Sequence, residues 1–143
     1  MILLVDTNVV ISALLKEGKS RELLIDSPFV LCAPENVIEE IRKHEDYIID
    51  KSKLSREEFE RLFHLLVENI RIIPRGEFIQ KMPEAHALIG HVDRGDVPFL
   101  ALAMSIPCDG IWTENVKHFK VQNNVKIHTT KELAELSNEP ADK

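Results

Sequence analysis

Carboxylates at a few separated places carry the chemistry this sequence could do. Asp6 ends the opening run Met1-Ile-Leu-Leu-Val-Asp-Thr-Asn8, and Glu39 and Glu40 lie within a candidate helix. Asp93 and Asp96 punctuate His91-Val-Asp-Arg-Gly-Asp96, and Glu114-Asn115 follows Gly110-Ile-Trp112. Each has a plainer role alone. Asp and Asn cap helices and form turns, and adjacent glutamates are ordinary on a solvated helix face. Brought together, the carboxylates would repel one another unless protons or a cation compensated them. Oxygen donors without paired Cys or His suit Mg²⁺ or Mn²⁺ rather than zinc. A cation held this way can activate water and stabilise a phosphorus centre under attack.

Neither HxxxH nor HExxH occurs, so a zinc centre is not expected. His91 and His118 fall near the acids, and His64 and His86 fall on predicted helices. With no partner at metal spacing, His118 is expected to have a surface or core role. Lys16, Lys19 and Arg21 come early, and Arg42 and Lys43 sit beside Glu40. Arg94, Lys117 and Lys120 flank the acidic positions, where they could steer a phosphate backbone. A loose match to a phosphate-binding loop, from Ala13 to Gly18-Lys19-Ser20, lacks the required strand, glycine-rich loop and helix. Leu14 and Leu15 fit a helix better.

Elements must bring these residues together. Ile2 to Val5 reads as a strand buried on both faces, with Thr7-Asn8 able to cap a helix from Val9 to Leu15. Ser20 is placed to cap a second helix to Ile25, Phe29 to Cys32 is a second strand, and Glu35 to Glu45 reads as helix behind Pro34. Ser55-Arg-Glu-Glu58 is a capping-box sequence opening a helix to about Glu68. Strands follow at Ile70 to Ile73, Gly110 to Trp112 and Val125 to Ile127. Helices are expected over Phe78 to Ile89, interrupted at Pro83, over Asp96 to Met104, and from a Thr130 cap to Leu136. Strands alternating with helices predict a mostly parallel sheet of four or five strands, covered on both faces. Each acid then falls near the carboxyl end of a strand or on the helix after it, where open α/β sheets bind ligands.

Length and composition fit one globular domain, expected over residues 1–136, with a frayed polar tail over 137–143. The 44% hydrophobic and 29% charged content excludes a disordered chain. No apolar run is long enough for a membrane span, and no signal-peptide pattern opens the chain, so a cytoplasmic protein is expected. Cys32 and Cys108 lack metal or CxxC spacing and read as two small buried thiols. A net charge of −6 argues against tight non-specific binding to nucleic acid. It is compatible with a nucleic-acid enzyme whose acids await a metal.

With these residues assembled, the sequence resembles the PIN-domain nucleases. Three stretches carry the likeness in order: Leu3 to Leu14, Asp93-Arg-Gly-Asp-Val-Pro-Phe-Leu-Ala-Leu-Ala103, and Gly110-Ile-Trp-Thr-Glu-Asn-Val-Lys-His-Phe119. The resemblance implies a three-layer α/β/α sandwich and a Mg²⁺- or Mn²⁺-dependent ribonuclease. It implies hydrolysis of RNA by a metal-activated water, leaving 5′-phosphate and 3′-hydroxyl ends. The family's acids match Asp6, Glu40 (Glu39 less well) and Asp96, with Asp93 accessory. The fourth position falls on Asn115, where many members have Asp. Asn can coordinate through its carbonyl but adds no charge, so weaker metal binding is expected, with Glu114 able to assist. The resemblance further implies a possible antitoxin partner and a homodimer.

Two rivals stand beside the nuclease. One is a PIN-like domain that binds RNA or protein without cutting, suggested by Asn115 and the acidic balance. The other is a phosphotransfer domain with Asp6 as nucleophile, which lacks a second Asp two residues on.

Overall fold

The computed structural model describes residues 1–138. Its five strands are β1 (Ile2–Val5), β2 (Val30–Pro34), β3 (Ile70–Ile73), β4 (Gly110–Trp112) and β5 (Ile127–His128). They form one parallel sheet in the order β3-β2-β1-β4-β5. β1 is central, and Leu3, Leu4 and Val5 are fully buried. That explains its continuous apolar run, since a middle strand of a covered sheet has no solvent face. Leu4 is in register with Cys32 on one side and Ile111 on the other.

Parallel neighbours require crossovers, and helices supply them. They are α1 (Thr7–Leu15), α2 (Lys19–Ile25), α3 (Asn36–Lys43), α4 (Glu45–Ser52), α5 (Arg56–Glu68), α6 (Met82–Ile89), α7 (Val97–Ser105), α8 (Val116–Phe119) and α9 (Thr130–Ser137). The helices flank the sheet in the three-layer α/β/α sandwich expected from the sequence. α1 packs against α2, α3, α4 and α5, while α7 packs against α6, β2 and β4. α7 is buried from Val97 to Ala103, so its surface is apolar all round. The thiols of Cys32 and Cys108 are free, the first buried and the second half-buried.

Several boundaries differ from expectation, each for a local reason. Asp6, rather than Thr7 or Asn8, is the N-cap of α1 and accepts the Thr7 N–H. Gly18, rather than Ser20, precedes α2, and Leu14 and Leu15 complete α1, so no phosphate loop forms. The third helix stops at Lys43, and a separate α4 follows where no helix is legible in the sequence. Pro83 opens α6 within its first turn rather than interrupting a helix, and two short 3₁₀ turns replace the expected start at Phe78. Thr129, not Thr130, caps α9 in a capping box with Glu132. The predicted Ser55–Glu58 capping box is present. Ser137 closes α9 instead of beginning a tail, and residues 139–143 lie outside the described residues. Among the described residues, no helix is long and apolar enough to cross a membrane.

Candidate functional site

The strand order reverses at β1. The chain moves from β1 outward to β2 and β3, then returns to place β4 on the other side. Loops leaving β1 and β4 therefore diverge and open a crevice at the carboxyl edge of the sheet. Asp6 leaves β1 there, and Thr113-Glu114-Asn115 leaves β4.

Hydrogen bonds tie those two exits together. Asp6 is only 4% exposed. Its Oδ1 accepts the Thr7 N–H (2.8 Å), and its Oδ2 accepts from Asn8 Nδ2 (3.1 Å) and Thr113 Oγ1 (2.7 Å). The buried Thr113 oxygen accepts the Asn115 N–H (2.9 Å), and Asn8 Oδ1 accepts the Glu114 N–H (3.3 Å). Asp96 arrives from a different direction. Asp93 starts a 3₁₀ turn by accepting the Gly95 N–H on its Oδ1 (2.8 Å), and the turn delivers Asp96 to the start of α7. Asp96 Oδ2 lies 2.9 Å from His118 Nδ1 on α8. Glu40 comes from α3, with Lys43 Nζ 3.6 Å from its Oε1.

Asp6, Glu40, Asp93, Asp96 and Asn115 line one cleft of about 190 Å³, joined by Thr7, Asn8 and His44. At ~30 Å³ per water, that is room for roughly six waters or a hydrated cation. A larger cavity of about 740 Å³, beside Lys19, Arg21, Glu22 and Asp26, brings together none of these residues and mixes charges of both signs.

Some expected residues fall outside the cleft. Glu39 is exposed, and neither it nor His91 lines the cleft. Glu114 turns away, its Oε1 accepting the Thr130 N–H (2.9 Å) at the start of α9, so it gives Asn115 no help. His118 does not line the cleft either, but it corrects the sequence reading by pairing with an acid that does. Expected on the surface or in the core, it stands against Asp96. The sequence separates them by 22 positions, and only the packing of α8 beside the mouth of α7 pairs them.

The electrostatics mark this as a place where ionised carboxylates are costly. Burial and the neighbouring Asp6 charge push Asp96 up to about 6, opposed by the hydrogen bond from His118. Burial likewise raises Asp6, opposed by its bonds from Thr113 and Thr7. A cation would offset both penalties. The donor set also fits one. Ligand atoms of Asp93, Asp96 and His118 all lie within 4.8 Å of one another. Thr7, in the cleft wall, has a buried hydroxyl oxygen with no hydrogen-bond partner among the described residues.

A family model for the PIN domain matches residues 4–137, and the chain belongs to that family. PIN domains are generally nucleases that act on nucleic acid, and they typically use divalent metals. A search of curated proteins returns no match.

Proposed function

We propose that residues 1–136 form a single Mg²⁺- or Mn²⁺-dependent endoribonuclease domain that hydrolyses RNA phosphodiester bonds. One observation carries this reading: four carboxylates and Asn115, scattered through the sequence of a PIN-domain chain, line a single cleft at the carboxyl edge of the sheet. Asp6, Glu40, Asp93, Asp96 and Asn115 would hold the cation. When bound, the cation supplies Lewis-acid stabilisation of phosphate charge and a lowered pKa for water.

The chain's own residues do the rest. Three donors fix the Asp6 carboxylate so that it cannot rotate out of the cleft. In the metal-free protein, His118 Nδ1 is 2.9 Å from one oxygen of Asp96 and holds it in place. Asn115 offers a carbonyl without charge, so cation affinity is lower than with an acid there. Glu40 already lines the cleft, and releasing its oxygen from the partly exposed pair with Lys43 costs at most about 1 kcal/mol. Exposed Arg94, Lys117 and Lys120 flank the acids and draw a polyanion toward an otherwise negative mouth. In-line attack of water on phosphorus with departure of the 3′ oxygen leaves 5′-phosphate and 3′-hydroxyl products.

The likeness to single-domain PIN toxins extends the reading to a cytoplasmic toxin held by an antitoxin. The same likeness extends the reading to a homodimer. Incubation of a mixed-sequence RNA with Mg²⁺, Mn²⁺ or EDTA, followed by analysis of the product ends, tests the proposal. Metal-dependent fragments with 5′-phosphates are expected. RNA binding without fragments in any metal would favour the non-cutting domain, and a trapped aspartyl-phosphate on Asp6 would favour phosphotransfer.

A further inference from the structure

We propose that His118 Nδ1 is a direct ligand of the divalent cation, and that this nitrogen makes the site prefer Mn²⁺ to Mg²⁺. The inference rests on the metal-dependent reading above and goes beyond its all-oxygen donor set. His118 Nδ1 is already 2.9 Å from Asp96 Oδ2, and both join Asp93 in a group whose donor atoms lie within 4.8 Å of one another. Ligands on adjacent corners of an octahedron with bonds of about 2.1 Å stand about 3.0 Å apart, and opposite ones about 4.2 Å. The His118–Asp96 pair thus has the spacing of two adjacent ligands, and the whole group needs only a small closure around one ion. Among the described residues, the His118 ring has no hydrogen-bond partner other than Asp96, so ligation through Nδ1 gives up that one hydrogen bond and no second contact. Its side chain is 35% exposed and free to make that adjustment.

The chemistry of the donors sets the preference. Mg²⁺ takes oxygen ligands and gives up water reluctantly. An imidazole nitrogen shifts a site toward first-row transition cations, and among these Mn²⁺ is the one that a carboxylate majority suits. The competing role for His118 lies outside the metal shell, with Nδ1–H donating to Asp96 and orienting it. That role would support both cations alike, whereas a bonded nitrogen distinguishes them.

The full chain is loaded with Mn²⁺ alone and examined by pulsed electron paramagnetic resonance for coupling to a directly bonded ¹⁴N. Calorimetric titrations with MnCl₂ and with MgCl₂ follow for wild type, His118→Gln and His118→Asp. The expected results are a nitrogen coupling in wild type and Mn²⁺ binding at least about tenfold tighter than Mg²⁺. His118→Gln should abolish the coupling and weaken Mn²⁺ by about 10- to 100-fold while changing Mg²⁺ by less than about threefold. His118→Asp should narrow the preference by restoring an oxygen donor. Bound Mn²⁺ without nitrogen coupling in wild type, or equal losses for both cations in His118→Gln, would overturn the inference and leave the metal-dependent nuclease standing. Folded wild type that binds neither cation would overturn both. The wild-type spectrum decides the point even where a variant fails to fold.

Discussion

Replacing Asp96 by Asn should stabilise the metal-free protein while abolishing its chemistry. Asp96 has an ordinary value of 3.8 and is pushed up to about 6 in the folded chain, first by burial and then by the Asp6 charge. A raised carboxylate favours the fold only while it is protonated. Its contribution is fully present below pH 3.8 and is lost as pH rises through about 6. A shift of about two units at 1.36 kcal/mol each puts the loss near 3 kcal/mol at pH 8. The side chain is only 8% exposed, so solvent screens little of this, and Asn keeps an oxygen to accept from His118 Nδ1. For a domain of this size, roughly 2–4 °C per kcal/mol gives a gain of roughly 6–12 °C in Tm. Thermal and urea unfolding in EDTA at pH 4.5 and pH 8 would read it. The variant should be clearly more stable at pH 8, and at pH 4.5 its advantage should shrink to about 1 kcal/mol, roughly a third of that at pH 8. Adding Mn²⁺ should then stabilise wild type more than the variant. A variant no more stable than wild type at pH 8, or one with the same advantage at both pH values, would refute the electrostatic reasoning.

Other perturbations follow from the same geometry. Asn115→Asp adds the missing charge to the cleft, so calorimetry should show Mg²⁺ binding tightened by about tenfold, with a lower Tm in EDTA. Thr113→Val removes the donor to Asp6 and the acceptor of the Asn115 N–H, so RNA cleavage should fall by about 10- to 100-fold. Its urea midpoint should reflect a loss of about 1–3 kcal/mol. Gly110 opens β4 at φ 139, and a Cβ there would stand 2.6 Å from the Lys126 carbonyl oxygen. Gly110→Ala should therefore cost about 2 kcal/mol or more in denaturant melts while leaving the cleft chemistry of the folded fraction intact.

The parts of the fold legible in the sequence are those with a strong local signal. Ile2 to Val5 announces a central strand because burial on both faces removes all alternation. The Ser55–Glu58 box and the all-apolar stretch from Val97 do the same for α5 and α7. α4 is hidden because its apolar stretch is only Tyr47-Ile48-Ile49 between charged residues, and Ile48 alone is fully withdrawn from solvent. That Asp6, Glu40, Asp93, Asp96 and Asn115 share one cleft follows from parallel strands gathering their carboxyl ends at one edge, while the preference for Glu40 over Glu39 rests on the family resemblance. His118 could not be anticipated, since its partner lies 22 positions away and no spacing rule links two helix starts. Glu114 misled for a similar reason. Its reach toward Thr130 depends on where α9 docks, which no stretch near residue 114 encodes. The strand-end position of Asp6 was readable, but its three fixed donors include Thr113, which only β1–β4 pairing brings near.

The most direct measurement sets wild type beside Asp96→Asn on one labelled, mixed-sequence RNA, in Mn²⁺, in Mg²⁺ and in EDTA, with both proteins confirmed folded by melting. Metal-dependent cleavage by wild type, none in EDTA, and none by a variant at least as stable as its parent is the predicted result. Cleavage that survives in Asp96→Asn, or in EDTA, would contradict a metal-dependent nuclease centred on this cleft.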